Sequence, residues 1–320
     1  MSFSTTVKNE IILKDYKNSN KGAVCDADGA KAELTAFLLY SGKLKKHAAG
    51  YDLKIKTENA KAARRIYFIM RGILKINPYI KINKTGAKGA YYEVRCDDTD
   101  EIIFLYENLG LIKPGCDFDK TDKIPHLKLF GKISERKAFV KGAFLACGSV
   151  MNPQKNYHLE FSAPCKRTAK LLESILKTFS VNSGIVERKS KYVVYIKNSD
   201  LIADVLTIVG AVNSLTEFHN AKILKEMRNG INRTINCENA NMDKTVDASV
   251  AQVASIKKLM DSGKFDTLAD NLKEIAILRL ENRESSLKEL GEMLDPPIGK
   301  SGVNHRLRKI AEIAKKEEQK

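Results

Sequence analysis

The residues of this sequence whose types and spacing could do chemistry are concentrated near its C-terminal end, in a cationic segment over residues 285–310. The segment opens with Ser286 and Glu289, which form a capping box that satisfies backbone N–H groups at the start of a helix. Apolar residues then follow on one face at helical spacing: Leu287, Leu290 and Leu294. Two consecutive prolines end the helix, because proline lacks a backbone N–H.

A second helix is predicted from Ser301, which is an N-cap candidate. Its apolar face consists of Val303, Leu307, Ile310 and Ala314. Cationic and amide side chains lie opposite or on the flanks: Asn304, His305, Arg306, Arg308 and Lys309. Two short helices, a tight turn and a cationic second helix are the pattern of a helix-turn-helix, whose second helix enters the major groove of DNA.

The side chains of this second helix suggest separate roles in DNA binding. Arginine binds guanine in a bidentate manner and asparagine does the same with adenine, so Arg306 and Asn304 are candidate base readers. Candidates for phosphate contacts are Lys300, Ser301, Arg308 and Lys309, with His305 beside them. The alternative interpretation is an ordinary amphipathic hairpin with a solvated cationic face.

Composition limits the possible partners. The chain has 320 residues, 43% hydrophobic content and a net charge of +16. Such an excess favours a polyanion, either nucleic acid or an acidic membrane surface. The cations are spread along the whole chain, which favours a folded surface for double-stranded DNA. No apolar run approaches the roughly 20 residues of a membrane span, and the N-terminal residues do not resemble a signal peptide, so we expect a cytoplasmic protein without a membrane partner.

The cysteines and histidines indicate neither a cofactor nor a metal. Six cysteines, the first at Cys25, occur at irregular intervals without a CxxC pair, and the five histidines are scattered. We therefore expect reduced cytosolic thiols rather than disulfides or a structural zinc site.

A duplication is visible in the first two hundred residues. The first copy is predicted as helix 32–44, strand 51–58, helix 59–74, strands 79–83 and 91–96 joined by a turn over 84–89, and helix 99–111. The second copy is predicted as helix 135–150, strand 157–162, helix 165–179, strands 184–189 and 191–197, and helix 199–211. Each copy thus has the order helix, strand, helix, strand, strand, helix.

The predicted fold class is α+β, a duplicated α/β saddle domain followed by an all-α helix-turn-helix domain. The expected boundaries are 1–20 for a helical extension, 21–112 for the first repeat, 113–132 for a linker, 133–215 for the second repeat, 216–262 for a helical connection and 263–320 for the DNA-binding domain. Within the connection, residues 221–241 are rich in asparagine, a poor residue for helix interiors. They indicate either a strip that touches DNA or, in our preferred interpretation, a polar network that fixes the linker, with a helix over 245–259.

The strands of the two repeats would leave one sheet face exposed. On the predicted register this face carries Lys54, Lys56, Lys81, Asn83, Tyr195 and Lys197. Such a face could seat a duplex. It could equally serve solubility, because lysine on exposed strands also prevents aggregation through sheet edges.

Two segments, LTAFLLYSG over 34–42 and VKGAFLACG over 140–148, resemble the LAGLIDADG helix of homing endonucleases. In that family an acidic residue just before the terminal glycine of each helix holds the catalytic divalent metal. Here those positions are Ser41 and Cys147, which cannot act as carboxylate ligands for magnesium or calcium. The resemblance therefore implies the fold and argues against the nuclease reaction.

A degenerate LAGLIDADG domain followed by a helix-turn-helix resembles the WhiA family of Gram-positive bacteria. The most specific segments are FVKGAFLACGSV, YHLEFS, residues 225–245 and residues 286–310. The resemblance implies a DNA-binding transcription regulator of sporulation genes that also affects cell division and chromosome segregation, placed in the cytoplasm at the nucleoid.

Two other functions remain compatible with the residues. One is a metal-dependent endonuclease with relocated carboxylates, for which the candidates are Asp28, Glu33, Glu135 and Glu160. The other is a scaffold in which the N-terminal repeats bind a protein or a small molecule and the C-terminal domain tethers them to the chromosome.

Overall fold

The computed structural model describes residues 2–19, 26–84, 90–119 and 123–318 of the chain. Cys25 and residues 85–89 of the turn predicted over 84–89 lie outside the described residues. The chain divides into an N-terminal unit, Met1–Lys225, and a C-terminal unit, Glu226–Lys320. The first is mixed helix and sheet and the second is helical, so the predicted fold class is confirmed.

The helices are α1 (Phe3–Ser19), α2 (Ala27–Ser41), α3 (Ala60–Phe68), α4 (Thr99–Asn108), α5 (Ile133–Cys147), α6 (Lys166–Lys177), α7 (Ser199–Val209), α8 (Val212–Asp261), α9 (Asp270–Glu281), α10 (Leu287–Glu292) and α11 (Lys300–Glu318). The strands are β1 (Gly42–His47), β2 (Gly50–Thr57), β3 (Tyr79–Lys84), β4 (Ala90–Cys96), β5 (Gly148–Val150), β6 (Leu159–Ala163), β7 (Gly184–Arg188) and β8 (Lys191–Ile196). In the part of the chain that these ranges cover, no helix is both long and apolar enough to cross a membrane.

The two repeats form two antiparallel sheets with the same topology, β1-β2-β4-β3 and β5-β6-β8-β7. Each repeat therefore runs helix, strand, strand, helix, strand, strand, helix, and the predicted order lacked the first strand. The reason lies in the sequence of these strands. β1 reads GKLKKH, with one aliphatic side chain, and β5 has only three residues, so neither shows the alternation that predicts a half-buried strand.

The leading helix of each repeat ends earlier than predicted, at Ser41 and Cys147 rather than at residues 44 and 150. Gly42 has φ −77° and ψ 144°, so the chain becomes extended there at once. A Cβ on Gly42 would lie 2.3 Å from the carbonyl oxygen of Leu38. The terminal glycine thus permits a helix-to-strand turn in which the chain passes close to its own helix.

The N-terminal unit is held together where α2 packs against α5. A Cβ on Gly142 of α5 would lie 2.5 Å from the carbonyl oxygen of Glu33 of α2, so the two backbones are in close contact. The Glu33 side chain is 1% exposed. Its carboxylate accepts from Nη2 of Arg65 at 2.7 Å and lies 3.0 Å from the ammonium of Lys141. One ion cluster therefore joins the two repeats.

The amide-rich segment over 221–241 is not a separate polar linker, because a single helix, α8, runs through it and through the predicted helix over 245–259. The asparagines of this segment are exposed. Each lowers helix propensity by less than about 1 kcal/mol, which continuous backbone hydrogen bonds can offset.

Candidate nucleic-acid interface

The C-terminal unit is built around a small core shared by α8, α9, α10 and α11. Ile256 of α8, Leu272 and Ile275 of α9, and Leu290 of α10 are buried in it. From α11 the core receives the four residues of the predicted apolar face: Val303, Leu307, Ile310 and Ala314. This confirms that face of α11.

The capping box that opens α10 is also confirmed. The Ser286 hydroxyl accepts from the backbone N–H of Glu289 at 3.3 Å, and Glu289 accepts from the N–H of Ser286 at 2.6 Å. The N–H of Ser286 in turn lowers the pKa of Glu289, with the Ser286 hydroxyl as the second cause. The helix start is thus fixed by the two reciprocal bonds that the sequence predicts.

The turn between α10 and α11 depends on Gly291. The carbonyl of Gly291 accepts from the N–H of Ile298 at 2.9 Å, and a Cβ on Gly291 would lie 2.1 Å from the Ile298 carbonyl oxygen. Only glycine permits this approach. The helix that follows begins at Lys300, so Ser301 lies in its first turn and the predicted N-cap at Ser301 is wrong.

The polar side of α11 faces solvent. The exposed residues are Lys300, Ser301, Asn304, His305, Arg308 and Lys309. No ion pair or side-chain hydrogen bond engages them anywhere in the described residues. Four buried apolar side chains, spread over about three helical turns, hold the opposite side. This face therefore presents cations and an amide on a rigid support, as a helix that enters the major groove does.

Arg306 differs from its neighbours. It is half-buried on the flank of α11, and its Nη1 lies 3.4 Å from the carbonyl oxygen of Asn271 in α9. Arg308 instead shares the outward face with Ser301 and His305 at helical spacing. The geometry thus places Arg308, rather than Arg306, beside Asn304 as the arginine most available to base edges.

Sequence reasoning missed Arg279, a buried cation that supports this interface. Its side chain is 1% exposed, and Nη1 donates to the carbonyl of Ser285 at 2.7 Å and lies 3.4 Å from those of Asn282 and Arg283. These carbonyls belong to the connection between α9 and α10. An arginine at helical spacing among leucines was the signal that it faces the core.

In the first repeat, the lysines predicted on the exposed sheet face differ in solvent exposure and in ion pairing. Lys56 and Lys81 are exposed, and the Lys56 ammonium lies 3.8 Å from the centre of the Tyr91 ring. Lys54 is half-buried and pairs with Asp52 at 2.8 Å. By strand register the same face also carries three cations that the sequence prediction omitted: Lys43, Lys45 and Arg95.

The second sheet has a less basic open face. Tyr195 is half-buried and the exposed Lys197 places its ammonium 5.4 Å from the centre of that ring. Glu160 lies opposite Tyr195 in the register. The two halves of the predicted saddle thus differ in charge.

The ends of α2 and α5, where the LAGLIDADG resemblance places metal ligands, carry neutral groups. The Ser41 hydroxyl donates to the carbonyl of Phe37 at 2.9 Å, and the Cys147 thiol donates to that of Ala143 at 3.3 Å. Burial raises the pKa of Cys147 to about 12. Across the described residues, no group of three His, Cys, Asp or Glu side chains is arranged to hold a metal.

The helix α1 brings a lysine towards this place, which the sequence did not predict. Burial lowers the pKa of Lys8, and the Cys147 thiol and the Glu58 carboxylate oppose that shift. The helix is anchored on both repeats, because Ser4 accepts from the N–H of Val150 at 3.4 Å and Asn9 accepts from the side chain of Asn59 at 3.0 Å. Lys8 of α1 thus lies near Cys147, one of the two positions that hold the metal ligands in LAGLIDADG endonucleases.

The four carboxylates considered for a relocated metal site are held by other partners. Glu33 lies in its buried ion cluster. Asp28 pairs with Lys132 at 2.7 Å, Glu135 accepts from the backbone N–H of Lys132 at 3.1 Å, and Glu160 lies 3.2 Å from His158. The structure therefore does not bring them together at the ends of α2 and α5.

Three protein-family models match the chain. The WhiA N-terminal LAGLIDADG-like domain matches residues 27–112, the WhiA LAGLIDADG-like domain matches residues 136–228, and the WhiA C-terminal HTH domain matches residues 231–314.

Full-length proteins match as well. A protein described as "Probable cell division protein WhiA" from Clostridium beijerinckii is 41% identical, over 98% of this chain and 98% of its own length. A protein with the same description from Caldicellulosiruptor bescii is 40% identical, over 98% of this chain and 95% of its own length. The crystal structure of full-length WhiA from Thermatoga maritima covers 99% of both chains with a TM-score of 0.58 and 24% identity, a similarity of fold.

Proposed function

This chain belongs to the WhiA family, and from that premise we propose that it binds double-stranded DNA at specific sequences and regulates transcription of genes for cell division. We extend the proposal to sporulation-type genes and chromosome segregation, with the protein acting in the cytoplasm at the nucleoid. The relatives described as cell division proteins and the helix-turn-helix match support this proposal.

The observation that carries the proposal is the outward face of α11. Asn304, Arg308 and Lys309 are exposed there, and their side chains form no hydrogen bond or ion pair with the other described residues. Unpaired cations on a rigid helix attract phosphates, and an amide at the same end can form two bonds with adenine.

The test begins with duplexes selected from a random pool by the full chain, followed by affinities for the selected and scrambled duplexes. Asn304→Ala should reduce discrimination between them by about 1–3 kcal/mol, the worth of one bidentate base contact. Lys309→Ala should weaken both duplexes alike, because a phosphate contact carries no sequence information. Lys61→Ala removes one exposed cation from α3 and is the matched control. Absence of duplex binding at low salt, or an equal effect of all three substitutions, would refute the assignment.

We further propose that the chain has no nuclease activity. A hydroxyl and a thiol with a raised pKa replace the carboxylates that a metal-assisted cleavage of DNA requires. Supercoiled plasmid incubated with the full chain and magnesium or manganese should stay supercoiled. Reproducible nicking that depends on the metal would instead restore the endonuclease hypothesis.

For the N-terminal unit we propose a second contact with the duplex through the open face of the first sheet. Lys56 and Lys81 are exposed there and lack carboxylate partners within the described residues. The competing role is a surface for a protein partner, and the salt dependence of duplex binding separates the two.

A further inference from the structure

The middle of α8 carries an apolar stripe that no other part of the described chain covers. Every residue from 231 to 248 is exposed, over about five helical turns. The stripe consists of six large side chains that are 47–64% exposed and lie outside both apolar cores of the described residues: Met227, Ile231, Ile235, Met242, Val246 and Val250. All six belong to the C-terminal unit, and their helical spacing places them on one side of α8.

This stripe is large for a surface that stays in water. At such exposure the six side chains present on the order of 500 Å² of apolar surface, near the upper limit of what a monomer exposes. The helix beneath it is weak, because it contains Gly230 and asparagines at positions 229, 232, 236, 239 and 241. Isolated helices are marginal in water even when their composition is favourable. A contact along the stripe would therefore stabilise α8.

A row of polar side chains runs along one flank of the stripe. It consists, in chain order, of one cation, three amides and two carboxylates: Arg228, Asn232, Asn236, Asn239, Asp243 and Asp247. They follow one another at intervals of three or four residues, so they share one face of the helix. None of the three charged side chains forms an ion pair with another described residue. The row thus begins positive and ends negative, and both ends are available to a partner.

The charge of this segment separates two kinds of partner. From Met227 to Val250 the helix carries three cations and three carboxylates, whereas the whole chain has a net charge of +16. A segment without excess cations gains little from a polyanion such as DNA. Two copies of a neutral segment, by contrast, can approach each other without the mutual repulsion of a highly charged surface. The stripe therefore fits a second copy of this chain better than it fits nucleic acid.

The order of charges in the row favours an antiparallel pair of α8 helices. About a twofold axis between residues 237 and 238, Arg228 stands opposite Asp247 of the second copy, and this pair occurs twice. The amides of Asn236 and Asn239 then face each other across the axis, where each can donate and accept. A parallel pair would instead place Arg228 level with Arg228 and would lose this match. An antiparallel pair also sets the two helix dipoles against each other.

The same axis makes the two stripes interdigitate. Met227 falls between Val246 and Val250 of the second copy, and Ile231 falls between Met242 and Val246. Such alternation is the knobs-into-holes packing of paired helices. The stripe and the row thus agree on one arrangement, although they consist of different residues.

We propose that Met227–Val250 of α8 is a homodimer interface in which two copies of the chain pair antiparallel. With the polar row added to the stripe, the buried surface approaches the roughly 800 Å² per partner of a stable interface. The interface does not rest on duplex binding, since none of its residues belongs to α11. Self-association and duplex affinity are measured separately, so either proposal can fail alone.

The first test is sedimentation equilibrium of the full chain without DNA. The parent should form dimers at micromolar concentration. Ile231→Asp should weaken the dimer at least about a hundredfold, because it buries a carboxylate in the centre of the stripe in both copies. Ile133→Asp, at an exposed isoleucine of α5, is the matched control and should leave the dimer unchanged. Circular dichroism of each variant confirms that its helix content is intact.

Charge exchange tests the antiparallel arrangement with exposed residues whose replacement does not disturb folding. Arg228→Glu should weaken the dimer about tenfold, because acids then face acids, and Asp247→Arg should do the same with cations. The two substitutions in one chain should restore the affinity of the parent, since each pair is only reversed. Arg64→Glu, on the exposed side of α3, is the control for a change of net charge.

Glu238 gives a test in the opposite direction. It occupies the stripe position between Ile235 and Met242, next to the axis, so it lies near Glu238 of the second copy. Like charges at short distance repel. Glu238→Gln should therefore tighten the dimer about threefold to tenfold.

A parent that remains a monomer at about 100 µM overturns the proposal, because an interface of this size should associate there. A dimer that survives Ile231→Asp, or that the combined Arg228→Glu and Asp247→Arg exchange weakens more than either substitution alone, overturns it too. If the parent is a monomer and Arg228→Glu lowers its duplex affinity while Arg64→Glu does not, the polar row contacts nucleic acid instead of a second copy.

Discussion

At the scale of single residues, the C-terminal unit depends on the buried Arg279. Its guanidinium supplies the donor for carbonyls of the connection that precedes α10. Arg279→Met should lower the free energy of unfolding of this unit by about 2–4 kcal/mol, because three carbonyls lose a charged donor in partly buried hydrogen bonds. Hydrogen exchange of amides in α10 and α11 measures this effect. Arg283→Met, at an exposed neighbour, should leave exchange unchanged, and equal effects of the two would contradict the structural role.

Glu33 makes stability depend on pH. Burial alone would raise its pKa, but Lys141 and Arg65 outweigh burial and hold the pKa below its ordinary value. A carboxyl with a lowered pKa contributes stability that is present above its unfolded pKa of about 4.3 and is lost as pH falls through the folded pKa. At pH 7, Glu33→Gln should cost about 2–4 kcal/mol, because two cations lose their counter-charge.

Urea unfolding at a series of pH values measures the Glu33 effect. The parent should lose stability steeply below about pH 4, and Glu33→Gln should show a flatter dependence there. Asp28→Asn is the control, since Asp28 also sits on α2 and pairs with a lysine but is exposed. A parallel pH dependence of the parent and Glu33→Gln would show that this carboxylate is not the titrating group.

At the scale of elements, the features that could be predicted from the sequence are those that depend on the spacing of nearby residues. The faces of α11 and the start of α10 follow from apolar periodicity and a capping box, and both are confirmed. The bond from Arg306 to Asn271 spans 35 residues and leaves no local pattern. β1 and β5 escaped prediction because their pairing with β2 and β6, rather than their own side chains, makes them strands.

The contact between α2 and α5 predicts how the leading helices tolerate change. Gly142→Ala should destabilise the N-terminal unit by about 1–3 kcal/mol, since the new methyl group would meet the Glu33 carbonyl and Ala36. Gly230→Ala on α8 meets nothing within 4 Å and should stabilise its helix by up to about 1 kcal/mol. Thermal unfolding of both variants gives the comparison, and a stabilising Gly142→Ala would refute the close packing.

At the scale of the whole molecule, the net charge of +16 is divided between surfaces of different kinds. On α11 the cations stand beside an amide that can read bases. On the first sheet, Lys56 and Lys81 flank Glu93, which Arg95 already binds. On the second sheet, the exposed Lys197 lies beside the half-buried Tyr195. Of these surfaces, only that of α11 can distinguish DNA sequences, because it alone combines cations with an exposed amide. The first sheet can add affinity for any duplex without selectivity.

The salt dependence of duplex binding tests the role of the first sheet. Each phosphate neutralised contributes about 0.9 to the slope of log affinity against log salt. If the sheet contacts the duplex, Lys56→Gln with Lys81→Gln should reduce that slope by about 1.8 and weaken selected and scrambled duplexes alike. Lys61→Gln with Arg64→Gln removes the same charge from exposed positions on α3 and should leave the slope nearly unchanged. Equal slopes for the parent and both double variants would assign duplex contact to the C-terminal unit and leave the sheet for a protein partner.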